Sequence, residues 1–321
     1  MKKLIIAAAV AGMFAVEAVA GEFARREMVY GDTVRTYTIY RPDSINRFAP
    51  LVVYTHGYGS KTRNRKDLNR AADRHGFVVC YPDGAPDTRG KDGWYVGYPS
   101  QSNMDKDEIS FFKALLDEVW RLSQNHKSEK AVSRKALKPK YSLFDTIEET
   151  EVLRQPHNVF MAGMSNGGDL CYQLVYTAPG LFKAYASVAG LTFEWVYNGH
   201  RLTEPVDFME IHGNADTTSR WTGDHDNAGG WGAYIPVPMA VAAIAANNRC
   251  ATMAAASVAS LTGDGRMLKR TVYGGSPTGK TVVLYEVDGG RNSWHAKDID
   301  TGETVWQFFE SVLKRDSDCY K

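Results

Sequence analysis

The chain has 321 residues, 44% of them hydrophobic, with 38 basic against 37 acidic side chains. That length can bury one large core. A formal net charge of +1 excludes the basic bias that nucleic acid or an anionic membrane surface would demand.

The chain opens with Lys2-Lys3, an apolar run from Leu4 to Val16, and Ala18-Val19-Ala20 before Gly21. This is the pattern of a secretory signal peptide. It is too short to span a bilayer and carries Glu17. The expectation is a secreted or periplasmic protein in which residues 1–20 are removed and 21–321 form one domain, with no membrane association afterwards. A hairpin follows, Glu27 to Tyr30 and Val34 to Tyr40 around a Gly31-Asp32 turn. Leu51 to Tyr54 reads as a short buried strand, Asn64 to His75 as a polar helix, and Phe77 to Tyr81 as the next strand. From Asp107, Ile109, Phe112, Leu115, Leu116 and Val119 fall on one helical face. Residues 121–155 are long, basic in their first half and carry Pro139, the signature of a surface insertion. Strands are then expected at Asn158–Ala162, Ala184–Val188, Phe208–Ile211 and Thr281–Val287, with helices after Ser165, at Val237–Ala246 and at Glu303–Leu313. Such alternation implies an α/β fold with a mostly parallel sheet covered on both faces, its site at the carboxyl ends of the strands. Of the four cysteines, Cys80 and Cys171 read as buried thiols, and Cys250 could pair with Cys319 in an oxidising compartment.

Gly163-Met164-Ser165-Asn166-Gly167-Gly168 lies between a predicted strand and a predicted helix. A serine flanked by glycines at that turn is the nucleophile elbow of α/β-hydrolases. The glycines allow a tight, strained turn, and the helix N-terminus aims N–H groups at a developing oxyanion. In this fold the order along the chain is serine, acid, histidine. Asp216 follows the strand Phe208–Ile211, with Asp224 and Asp226 as nearby alternatives, and His295 lies on the loop before the last helix. The expected catalytic set is therefore Ser165, Asp216 and His295. Oxyanion donors are expected at Asn166 and at Tyr58, in the loop His56-Gly57-Tyr58-Gly59 after an early strand. His56 itself reads as structural. His212, Asp216 and His225 could suggest a metal, but their spacing is irregular. No metal or cofactor is expected.

These residues resemble those of the secreted polyhydroxybutyrate depolymerase and feruloyl esterase group, which includes carbohydrate esterase family 1. The resemblance runs from about Ala49 to Leu313. It rests on Leu51 to Gly57, Tyr81-Pro82-Asp83-Gly84, the elbow, and Ile211-His212-Gly213-Asn214-Ala215-Asp216. It implies an α/β-hydrolase fold, the nucleophile at Ser165, the acid at Asp216 and oxyanion donors at Tyr58 and Asn166. One departure stands out. Members carry Gly-Gly-Gly-His-x-Trp-Pro on the base loop, whereas this chain has Gly289-Gly290-Arg291-Asn292-Ser293-Trp294-His295. The family histidine falls on Asn292, and the reading adopted is a rewired loop with His295 as base. The function expected is a serine esterase releasing feruloyl or acetyl groups from plant cell-wall polysaccharide. A polyester depolymerase or a lapsed carbohydrate-binding homologue are the alternatives. Trp94, Trp221 and Trp231, with Tyr95 and Tyr98, are the candidate substrate contacts, because all lie in Gly-rich loops.

Overall fold

A computed structural model describes residues 21–43, 45, 49–60, 64–102, 107–125 and 158–318. The hairpin forms as β1 (Gly21–Tyr30) and β2 (Thr33–Pro42), antiparallel, with Val29 opposite Val34. Then come β3 (Leu51–Thr55), α1 (Lys66–His75), β4 (Val78–Pro82), a two-residue ribbon of β5 (Ala85–Pro86) and β6 (Asp92–Gly93), and α2 (Glu108–Asn125). The second half contains β7 (Val159–Met164), α3 (Asn166–Thr177), β8 (Ala184–Val188), α4 (Glu194–Gly199) and β9 (Asp207–Gly213). It ends with α5 (Val237–Asn247), β10 (Thr252–Ala259), β11 (Met267–Gly274), β12 (Val282–Val287) and α6 (Thr301–Asp318).

The main sheet has the order β1-β2-β4-β3-β7-β8-β9-β12-β11-β10. Its middle, from β4 to β12, is parallel, and both margins are antiparallel. The central strands are short apolar runs because both of their faces are covered. Val53 and Met161 point into a core shared with α2, α3 and α5 through Phe112, Leu170 and Ile244. Their neighbours Val52 and Phe160 point the other way, toward α1 and α6 through Leu68, Trp306 and Phe309. Period-2 alternation thus splits each strand between two cores. The consequence for function is positional. The loops after β3, β7, β9 and β12 all emerge at one edge of the parallel region.

Three expectations from sequence fall at the limits of the described residues. Residues 1–20, most of the 121–155 segment and Cys319 lie outside them, so the signal peptide, the insertion and the Cys250–Cys319 pair have no structural account; residues 121–125 end α2. Cys80 and Cys171 are buried, unpaired thiols, and burial raises the pKa of both. The antiparallel pair β10–β11 was not legible. Every residue of β10 is exposed, so the segment has no buried face and no alternation to read.

Candidate active site

Ser165 sits between β7 and α3 at φ 53° and ψ −119°, a region that costs a non-glycine residue about 1–3 kcal/mol. Close packing enforces that turn. A Cβ at Gly163 would lie 2.1 Å from the Gly167 carbonyl oxygen, and one at Gly167 would lie 2.2 Å from that of Thr55. The backbone is locked on both sides of the serine: its N–H donates to Val188 O (2.8 Å), and its carbonyl accepts from Asp169 N–H (2.8 Å).

The loop after β3 lies against the nucleophile, since a Cβ at Gly57 would be 3.4 Å from Ser165 Cβ. His56 is buried and ties this loop down. Its Nδ1 bonds Gly57 O at 2.8 Å, and its Nε2 accepts from Gly84 N–H at 2.9 Å. Gly59 N–H donates to Asp92 O (2.7 Å), and the Tyr58 hydroxyl donates to Asp87 Oδ2 (2.5 Å). Burial alone would raise the Asp87 carboxyl; the hydrogen bonds from Tyr58 and from the N–H groups of Lys91 and Arg89 outweigh it and hold the pKa at about 2. Across the site, the Asn166 side chain is pinned twice to Trp94. Its Oδ1 accepts from Trp94 N–H (2.7 Å) and its Nδ2 donates to Trp94 O (3.1 Å). No described residue accepts a hydrogen bond from the main-chain N–H of Tyr58 or Asn166. Two N–H groups therefore remain available beside the serine hydroxyl.

At the far side of the site, the acid and the base loop are arranged differently from the sequence expectation. Asp216 is buried. Its Oδ1 accepts from the N–H groups of Thr218 (2.7 Å) and Ser219 (2.9 Å), and its Oδ2 accepts from Asn292 Nδ2 (2.9 Å). The Asp216–His295 pair is not formed. Asn292 occupies the place at Asp216 that the family spacing gives to a histidine. The cause is the packing of the loop. A Cβ at Gly213 would lie 2.2 Å from the Gly290 carbonyl, so the loop lies directly on the end of β9 and carries Asn292 over Asp216. Trp294 then anchors it, with Nε1 donating to Asp67 Oδ2 (2.7 Å) and the ring edge-on to Tyr54 (5.2 Å). His295 follows at φ 56° and begins the turn into α6, its carbonyl accepting from Asp298 and Ile299. Its ring is buried, with Nδ1 3.4 Å from Asp298 Oδ2 and from Ser293 Oγ, and Nε2 without a partner among the described residues. Burial lowers the pKa of His295, against the raising influence of Asp298.

Sequence reading also missed what lies beneath the acid. His212 is completely buried, with Nδ1 2.8 Å from Glu210 Oε1 and Nε2 2.8 Å from Ser219 O. Ser219 O can only accept, so Nε2 donates to it, and the Glu210 carboxyl facing Nδ1 favours the charged ring. Burial opposes that charge, but Glu210, the Ser219 carbonyl and Asp216 (3.7 Å) raise the pKa overall. His225 pairs instead with Glu194, so His212, Asp216 and His225 do not converge on one point.

The tryptophans divide. Trp94 is fully buried, its Nε1 donating to His56 O (2.9 Å) and its ring packed on Phe112; it braces the loop after β3 and offers no exposed surface to a substrate, a correction to the sequence expectation. Trp231 is partly exposed and lies 5.7 Å from Tyr58 and 5.2 Å from Tyr98, ring centre to ring centre. Trp221 stands edge-on to His212 and lines a hollow of about 300 Å³ with Met253 and Tyr273. Tyr98 is buried, its hydroxyl 2.6 Å from Asp169 Oδ2, while Tyr95 is partly exposed.

The fold matches solved structures along nearly the whole chain. An S-formylglutathione hydrolase from Agrobacterium tumefaciens superposes with a TM-score of 0.51 over 91% of this chain and 96% of its own, at 13% identity. The chain has the α/β-hydrolase fold. The acylaminoacyl peptidase of Pyrococcus horikoshii gives a TM-score of 0.52 at 11% identity, over 91% of this chain and 41% of its own. Among curated proteins, the putative esterase NocK of Nocardia uniformis subsp. tsuyamanensis is 24% identical over 199 residues, 60% of this chain. The chain spans about half the length of that relative, 48%. No family model matches the sequence.

Proposed function

We propose that the protein is a serine ester hydrolase working through an acyl-enzyme. The observation that carries this reading is the strained Ser165, set between two unengaged N–H groups at Tyr58 and Asn166. Ser165 Oγ attacks the ester carbonyl, and its proton passes to His295 Nε2. The oxyanion is held by the two N–H groups. As the carbonyl re-forms, the C–O bond breaks and His295 returns the proton to the leaving alcohol. Water then repeats the sequence on the acyl-enzyme and releases the acid. Burial favours the neutral His295 that a base requires. Ser165 Oγ makes no hydrogen bond to a described residue, so this transfer calls for closure onto bound substrate.

The substrate proposed is a feruloyl or acetyl ester on plant cell-wall xylan, met outside the cytoplasm by a protein exported through its first 20 residues. The partly exposed Trp231, packed on Tyr58 and Tyr98 next to the oxyanion loop, supports an aromatic acyl group or a sugar ring there. The resemblance of the elbow and of Ile211 to Asp216 supports the same class. A second reading, a lapsed hydrolase that only binds carbohydrate, is favoured by one observation, Asn292 on Asp216. The test is turnover of p-nitrophenyl acetate, followed by ferulate release from arabinoxylan set against cleavage of hydroxybutyrate oligomers. Ester turnover with ferulate release is the expected result. Binding of xylan with no ester turnover would establish the lapsed reading.

A further inference from the structure

We infer that Asp298, rather than Asp216, is the carboxylate that positions the base, an inference that rests on the esterase reading above. A triad carboxylate must accept from Nδ1 of the imidazole and leave Nε2 bare toward the nucleophile. Asp216 is already engaged elsewhere: two N–H groups and Asn292 donate to its oxygens, and the His212 ring lies beneath it. Asp298 Oδ2 faces His295 Nδ1 at 3.4 Å, with both side chains buried. Its other oxygen is fixed by Arg266 Nη1 (3.1 Å) and approached by Ser260 Oγ (3.4 Å), which sets the carboxylate's orientation.

The remaining ring nitrogen completes the pattern. Nε2 of His295 is buried without a partner among the described residues, and residue 295 borders a cavity of about 540 Å³ together with Arg65, Lys66, Asp67 and Lys297. Arg65 reaches from that cavity to Met164 Sδ (3.3 Å), the residue before the nucleophile. The charged groups around His295 are thus Asp298 in contact, Asp216 and His212 through space, and Arg65, Lys66, Asp67 and Lys297 in the cavity wall. A buried imidazole nitrogen with no partner among the described residues, with a carboxylate behind the opposite nitrogen, is the base half of a triad carried within one turn.

The experiment compares Asp298→Asn, Asp216→Asn and Arg266→Gln in the full chain, using p-nitrophenyl acetate and thermal melting. Asp298→Asn is expected to lower kcat on the order of 10⁴-fold, as removal of a triad carboxylate does. The acid limb of its kcat/KM profile moves to lower pH, because the lost carboxylate had favoured the imidazolium. Arg266→Gln loosens the seat of that carboxylate and lowers kcat far less than Asp298→Asn does. Asp216→Asn costs less than about tenfold, since it loses only a loop anchor. In the wild type, imidazole ¹⁵N shifts place the proton of neutral His295 on Nδ1, a reading that needs no variant to fold. Three results overturn the inference while the esterase reading stands: the large loss falling on Asp216→Asn, Arg266→Gln matching Asp298→Asn with the limb unmoved, or an Nε2-protonated ring. A wild type without turnover, indistinguishable from Ser165→Ala, would instead overturn the esterase reading itself.

Discussion

Asn292 donates to Asp216 Oδ2 and, at 3.0 Å, to Ser219 Oγ, so one amide closes the end of β9 onto the base loop. Restoring the family spacing with Asn292→His places a second imidazole at Asp216. Because His295 already has its own carboxylate, that change is expected to leave wild-type turnover flat and to recover part of the activity lost in His295→Ala. A p-nitrophenyl acetate assay of the single and double variants checks this. An Asn292→His enzyme far faster than wild type would mean that Asp216 lacked a base. Beneath the same carboxylate, His212→Gln strands the buried Glu210 charge. Removing one member of a buried ion pair costs about 3–5 kcal/mol. A large drop in melting temperature is the expected outcome, and an unchanged melt would mean that the His212–Glu210 pair contributes nothing to stability.

At the scale of elements, the elbow is built from glycines that serve packing rather than flexibility. Gly163→Ala and Gly167→Ala force a methyl group into the main chain of α3 or β3, at a cost of about 1–3 kcal/mol or more. Both are expected to lower the melting temperature and to displace Ser165, whereas Gly199→Ala, with open space around it, is silent. Thermal melts of the three variants decide. The same packing explains what the sequence made legible. β7 and β8 are apolar runs buried on both faces, and a glycine-flanked serine between such a run and a helix has few other uses. The ribbon β5–β6 and the strand β10 carry no such signal, being two residues long or wholly exposed. The base loop was legible only as a mismatch. The position of His295 in the chain order was plain. The carboxylate it meets depends on a positive φ and on the seating of Gly290 against Gly213, neither of which spacing reveals.

For the whole molecule, two buried ionisable groups beside the site tie stability to pH. Burial raises the Asp169 carboxyl to about 8, with the Tyr98 and Leu191 hydrogen bonds opposing it. A folded pKa above the unfolded one means that the native state holds the proton more tightly. The stability this contributes is complete below the ordinary carboxyl range near 4 and is lost as pH rises toward 8. His212, also raised, acts with the same sign, its contribution complete below about 6.5. The wild type is therefore expected to lose melting temperature relative to Asp169→Asn between pH 4 and 8, and parallel curves would contradict the assignment.

All of these consequences attach to one claim, that Ser165 in its strained turn is a working nucleophile. The measurement that tests it most directly is the steady-state turnover of p-nitrophenyl acetate by the wild type and by Ser165→Ala, with both proteins shown to melt cooperatively. The account predicts turnover by the wild type and a loss of roughly 10⁵–10⁶-fold in the variant, the cost of deleting a triad serine. Equal rates in the two proteins would contradict it.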